Sequence, residues 1–246
     1  FASTSKLILG NELRPIKKYE KFLTRYIDKV TTRRSPFGND VSYGRYFWAA
    51  NAPKERIVTS VEGAETGKVH IKPEDAEGLD LEKIIQLLPR IAYYSVQFEE
   101  GENINLIETL HKYSSSNTYQ VGDATFSKKC AYCTHVQNCD NVFGSGVLIV
   151  GSTYSIRCYD CVNVTMCMDL DSCKNCHRCM FCHNCEGLSD CMFCFNAKSL
   201  HYAIGNVEVG KEQYEKVKKM VLGELVKRIE KDGDIGFDIC SLGSEK

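Results

Sequence analysis

The chain carries fourteen cysteines, and thirteen of them fall between residues 130 and 194. CxxC pairs open at Cys130, Cys158, Cys173, Cys179 and Cys191, with His135, His177 and His183 close by. Three chemistries are open to thiols at this spacing. Thiolates and imidazoles build tetrahedral zinc knuckles or iron–sulfur sites. The densest such set here is Cys173, Cys176, Cys179, Cys182, His177 and His183. Thiols also pair as disulfides where the compartment is oxidising. Otherwise they pack, because a free cysteine behaves as a small hydrophobe and is among the most buried residue types.

The elements that must position these thiols are written in their period. From Cys158 to Ala203 every third residue is Cys, Val, Leu or Ala. A period of three is neither the 3.6 of a helix nor the 2 of a flat strand. Folded at twelve residues, the series falls into four apolar columns, among them Cys161, Cys173, Cys185, Ala197 and Val164, Cys176, Leu188, Leu200. The pattern predicts a narrow β-solenoid with four inward side chains per coil, successive coils pairing at about 4.8 Å. Outward columns such as Asn163, Asn175, Gly187 and Ser199 hold turn residues, which tolerate left-handed corners. Another outward column stacks Met168, Met180 and Met192 beside Phe181 and Phe193, an apolar stripe on a polar exterior. It is expected either to receive another part of the chain or to dock a partner.

This frame weighs the three chemistries. A slot holding Cys in one coil holds Val, Leu or Ala in the next, which a packing position tolerates and a ligand set does not. The histidines fall outside the inward frame. Residues six apart occupy opposite walls of a twelve-residue coil, so the disulfide candidates are Cys133–Cys139, Cys161–Cys167, Cys173–Cys179, Cys176–Cys182 and Cys185–Cys191. Each bridge would close a small loop and contribute rigidity more than chain entropy. Bridged, free and metal-bound thiols all stay open, with the bridged ladder preferred and zinc the alternative cofactor to none.

An earlier block from Cys130 to Val142 repeats the order of Cys158 to Leu170, displaced so that the frame slips by one residue. The slip is expected in Val147–Ser155, as a bulge or excursion. Residues 1–120 hold no cysteine and read as mixed α/β, with a helix after Pro15, β-like pieces at Arg56–Val58 and Lys68–Ile71, a helix from Asp80 to near Pro89, a strand over Ile91–Phe98 and a short helix over Asn103–Tyr113. The basic face of the first helix (Lys17, Lys18, Lys21, Arg25, Lys29) reads as a solvated surface. The solenoid is expected over 121–206, starting near residue 120 where Val121, Ala124 and Ser127 fit the frame, and an amphipathic capping helix and tail over 207–246. The fold class is therefore mainly β: a cysteine-lined solenoid with a mixed N-terminal region and a C-terminal capping helix.

The formal charge of −1 gives no field for obligatory nucleic-acid binding. No apolar run approaches the length needed to span a bilayer. The chain opens on Phe1 rather than Met, which points to sequence upstream and leaves room for a removed leader. There is no phosphate-binding glycine loop, nucleophile elbow or HExxH, so no catalytic residue is nominated. Asp160, Asp169, Asp171 and Asp190 read as outward, solvated turn carboxylates.

The twelve-residue coil with cysteines six apart resembles the disulfide-laddered β-helix of insect antifreeze proteins, but lacks their outward Thr-x-Thr array, so ice binding is not implied. Cys179 to Cys194, Phe195-Asn196, Gly205-Asn206 and the stretch Lys211 to Lys216 resemble the closing pattern of cysteine-rich repeat proteins found in candidate-phylum bacteria, archaea and large viruses. Many of those carry an N-terminal zinc-ribbon-like CxxC segment, which this chain does not have. That resemblance implies a β-helix and no particular activity. The expectation is a non-catalytic structural protein docked on other subunits of a larger assembly through the Met168/Met180/Met192 and Phe181/Phe193 face. Its most concrete form is a virion capsid or tail component, a fold-level analogy. The alternatives are a cytosolic zinc-binding or iron–sulfur protein and a thiol-based redox enzyme. Compartment follows redox state: a virion or other oxidising context if the ladder is bridged, the cytoplasm if it is reduced.

Overall fold

The computed structural model describes residues 1–44, 51–146, 149–159 and 161–243. Its centre is a β-solenoid of about nine turns spaced about twelve residues apart. Parallel pairs such as Val121–Cys133, Ile156–Met168, Met168–Met180 and Cys191–Ala203 fix the twelve-residue register. The backbone explains the three-residue period. Among the described residues from Tyr154 to Gly205, every third residue has a positive φ. An extended pair followed by one left-handed corner turns the chain, and four such corners close a coil. The side chain after each corner points inward. Left-handed backbone costs an ordinary L-residue about 1–2 kcal/mol, which is why Asn163, Asn175, Asn184, Asn196 and Gly187 stand at corners. Arg178, Phe181 and Phe193 take the same conformation, so packing and the ladder must offset their strain.

The earlier coils differ. Corners fall at Asn105, Glu108, Ser114, Asn117, Gln120, Phe126, Lys129, Tyr132, Asn138, Asn141 and Gly144, and the positions between, His111, Asp123 and His135, are not left-handed. One wall therefore runs straight, and the longest strands, Ser116–Thr125 and Ala131–Gln137, pass through it.

The frame slip is present. Ala131 pairs with Phe143, but Val136 pairs with Ile149, so the extra residue lies between Phe143 and Ile149. That is the upstream edge of the expected segment, and Val147 and Leu148 lie outside the described residues. Gly144 is required here: its φ is 70°, and a Cβ would come within 2.7 Å of the Leu23 carbonyl oxygen.

The solenoid starts earlier than residue 120. Phe98 already pairs with His111, and Ile104 with Ser116. Asn103–Tyr113, expected as a helix, instead forms the strands Ile104–Ile107 and His111–Tyr113. Ile104, Ile107 and Leu110 recur at i, i+3, which over so short a run fits either period. Upstream, the helices are α1 (Ala2–Leu9), α2 (Glu20–Leu23), α3 (Ser60–Thr66), α4 (Pro73–Ala76) and α5 (Leu81–Leu87). The helix after Pro15 is broken into a 3-10 turn, Ile16–Tyr19, and α2. Lys68–Ile71 is irregular rather than extended, and Ile91–Phe98 keeps only Tyr94–Ser95 and the start of Phe98–Glu100 as strand. Asp80 caps α5 by accepting from the Lys83 N–H.

Both ends of the solenoid are covered. At the first coil Leu110 and Val96 pack on Val41 and Ile57 of the α/β region. At the last coil, side chains imitate the missing next strand. The Asn206 amide donates to the Phe195 carbonyl and accepts its N–H, and the Glu208 carboxylate accepts the His201 N–H. Val207–Glu208 folds back antiparallel on Ala203–Ile204. Such edges otherwise invite strand addition.

The helix α6 (Lys211–Asp232) closes the fold along its flank. It begins beside the last coil, where Tyr214 meets Tyr202 edge-on, and its 22 residues run for about 33 Å at 1.5 Å per residue. With α1 and α2 it buries one outer wall of the solenoid: Phe143, Ile156, Met168, Met180 and Met192 share a core with Ile8, Phe22, Tyr214, Leu225 and Ile229.

Candidate functional site

The lumen is closed packing. Val121, Cys133, Val136, Cys161, Cys179 and Leu188 are among its fully buried residues. Nearly every thiol donates to the carbonyl two residues before it: Cys139 to Gln137 at 3.2 Å, Cys167 to Thr165 at 3.3 Å, Cys185 to His183 at 3.1 Å. Ser115 and Ser127 do the same in the earlier coils, to Tyr113 and Thr125. Cysteine thus serves as a small apolar side chain with one weak donor.

All fourteen cysteines are free thiols in the structure. The five six-apart pairs are unbridged. Thiol contacts run between neighbouring walls, as Cys158 with Cys161 and Cys179 with Cys182, and between successive coils, as Cys161 with Cys173, Cys167 with Cys179 and Cys182 with Cys194. Burial pushes the Cys133 and Cys176 thiols up to about 12, so both are neutral at physiological pH, and neutral thiols are poor nucleophiles. Burial likewise holds Cys161 and Cys167 well above the ordinary thiol value. At Cys179 the contacts from Cys167, Cys182 and Cys191 outweigh burial and pull the other way, at a sulfur with no access to solvent.

The expected zinc ligands are divided by the solenoid wall. Cys173, Cys176, Cys179 and Cys182 face the lumen, while His177 and His183 lie outside it. His183 Nδ1 sits 2.5 Å from Asp171 Oδ2. Among the described residues no group of three or more His, Cys, Asp or Glu is arranged to hold a metal ion.

The expected docking face is occupied by the chain itself. Met168, Met180, Met192 and Phe181 are all buried, and Phe193 is half-buried, stacked on Phe181 at 5.2 Å. The stripe is α6's seat, and the reading of it as a partner surface is corrected. Two carboxylates expected in solvent are also inside. Asp190 accepts a bidentate pair from Arg178 at 2.6 and 2.7 Å. Asp169 is fully buried against Arg157, which stacks on Phe22 at 4.5 Å and also approaches Asp238. Asp169 accepts from the Ile239 N–H, and Arg25 pairs with Asp234 and Asp238, so one ionic knot binds the solenoid to both ends of the described chain. Burial raises the Asp169 pKa to about 6, against the pull of Arg157.

On the straight wall of the early coils, His111, Asp123 and His135 stack one above another. Asp123 Oδ2 lies 3.6 Å from His111 Nδ1 and 3.3 Å from His135 Nδ1. Burial alone would raise Asp123, but hydrogen bonds from both histidines outweigh it and hold the carboxyl well below the usual carboxylate range. Twelve-residue spacing was the available sequence signal for this stack.

The remaining feature is an apolar groove in the N-terminal region, with a volume of about 550 Å³. Its walls include Phe37, Val61, Val69, Arg90 and Tyr93. The Glu62 carboxylate at its base is fully used, taking Ser35, Asn39 and the Thr59 N–H as donors, and so fastens the Ser35–Asn39 turn to α3. Glu65, paired with Lys68, and Thr66 also line the groove, whose remaining surface can bind by apolar contact. Beside it in sequence, α5 has no fully buried residue: Leu81 is 72 % exposed, Ile84 and Ile85 are exposed and Leu87 is half-buried, while Leu88 just beyond it is exposed as well. Sequence reading recognised this helix but not that its apolar side chains would be left in solvent.

No family model, curated protein or solved structure matches the chain.

Proposed function

We propose that this chain is a non-catalytic structural protein: a stiff β-solenoid that docks on a larger protein assembly through its N-terminal apolar surface. The observation that carries the reading is α5, a folded helix whose apolar side chains are all exposed or half-exposed, in the same N-terminal region as a groove with Val61 at 73 % exposure. Monomeric proteins rarely leave such patches uncovered, and those that do usually use them. The inward thiols, nearly all bonded to a carbonyl, support a role for the ladder in packing rather than in chemistry. A virion shell or tail is one assembly that a stiff, thin rod would suit.

The test is co-elution. In extracts of the source, the chain is expected to elute with a high-mass assembly. Val61→Glu with Ile85→Glu should shift it to the monomer position, while Met220→Glu, on α6, should not. Elution as a monomer for every variant, the unaltered chain included, would contradict the reading.

A further inference from the structure

We infer that the occupant of the N-terminal groove is a basic, amphipathic helical segment of a partner protein, an inference that rests on the docking role proposed above. The apolar half of the match is the groove and the exposed face of α5. The charged half is in the stretch that joins α3 to α5. Between Glu74 and Glu82 stand five carboxylates, Glu74, Asp75, Glu77, Asp80 and Glu82, and no cation. Asp75 pairs with Arg90 and Asp80 with Lys83, while Glu74, Glu77 and Glu82 have no counter-ion among the described residues. Arg90, the partner of Asp75, is a residue of the groove wall, so this acidic stretch reaches the groove's edge.

The sign of that charge sorts the occupants. A second copy docked symmetrically would gather two such acidic stretches into one interface, because a two-fold interface uses the same patch on both sides. An anionic membrane surface and a nucleic acid would both be repelled at the same edge. A helix with leucine-like residues on one face and lysine or arginine on the other satisfies both halves, in the helix-in-groove manner. Complementary charge then sets choice of partner and rate of encounter, and the apolar contact holds the complex.

The test uses the whole chain and three labelled amphipathic helical peptides of equal apolar content, built from leucine with lysine, leucine with glutamine and leucine with glutamate. Fluorescence anisotropy is expected to show the leucine–lysine peptide binding at least about tenfold tighter than the others, with that advantage lost in high salt. Glu74→Lys with Glu77→Lys should remove the preference, and Val61→Glu should weaken all three peptides. All of these positions but Val61 are surface carboxylates outside α5, and Val61 is itself largely exposed, so the fold is retained. Equal binding of the three peptides, or no binding, would overturn the inference. So would concentration-dependent self-association of the chain abolished by Val61→Glu, which would make a second copy the occupant. If the peptides show no preference but co-elution with the assembly remains sensitive to Val61→Glu, only the partner's chemistry is wrong and the docking role stands.

Discussion

At the scale of single residues, this protein places charged groups where the solenoid geometry makes them count. The His111–Asp123–His135 stack joins three successive coils through one carboxylate. Its contribution has a defined pH sign. Asp123 titrates lower in the folded chain than in the unfolded one, so the stabilisation is fully present above about pH 4 and fades as pH falls through the folded value. Asp123→Asn should therefore cost about 1.5 kcal/mol at neutral pH. The gap between wild type and variant, read from urea unfolding at a series of pH values, should narrow below about pH 4. A gap that is constant with pH would show that the carboxylate's charge is not what matters there.

At the scale of the element, the coil is the unit, and its lumen asks for small side chains with at most one donor. Ser115 and Ser127 fill the role in early coils, and cysteines fill it later. Cys139→Ser should consequently change stability by less than about 1 kcal/mol, because the hydroxyl meets the same Gln137 carbonyl. A loss in the range of about 2–5 kcal/mol would instead mean that a disulfide had been removed. The same geometry explains what could be read from the residues alone. The inward frame from Cys158 to Ala203 is the consequence of a backbone that turns at every third residue, its repeat from Cys130 keeps that frame around one straight wall, and both survive in the sequence because only small apolar groups fit inside. The start of the solenoid was not legible. Asn103–Tyr113 has no cysteine, and Ile104, Ile107 and Leu110 suit a helix as well as a coil. The buried knot of Arg157 and Asp169 was hidden for a different reason: an outward position on the solenoid is a buried one wherever α6 and α2 cover it. The Met/Phe stripe was visible, but whether the chain or a partner covers such a stripe depends on where α6 lies. The groove beneath α3 was not visible at all, since it is assembled from Phe37, Val61 and Tyr93, far apart in sequence.

At the scale of the whole molecule, the fold is a rod closed at both ends and along one side. Closure at the last coil rests on two side chains, Asn206 and Glu208, which take the place of a further strand. Replacing both with alanine leaves the Phe195 and His201 backbone groups open. Sedimentation should then show mass rising with concentration beyond that of the unaltered chain, as expected when an edge is exposed. An unchanged profile would mean that the Val207–Glu208 turn alone protects the end. Among the described residues, the α3–α5 region leaves Val61, Val69, Leu81, Ile84, Ile85 and Leu88 exposed.

The most direct test of that account is hydrogen–deuterium exchange on the chain alone and within its assembly. The account predicts added protection over residues 60–90, with the solenoid coils and α6 unchanged. Added protection confined to α6 or to the coils, with residues 60–90 exchanging as in the isolated chain, would contradict it.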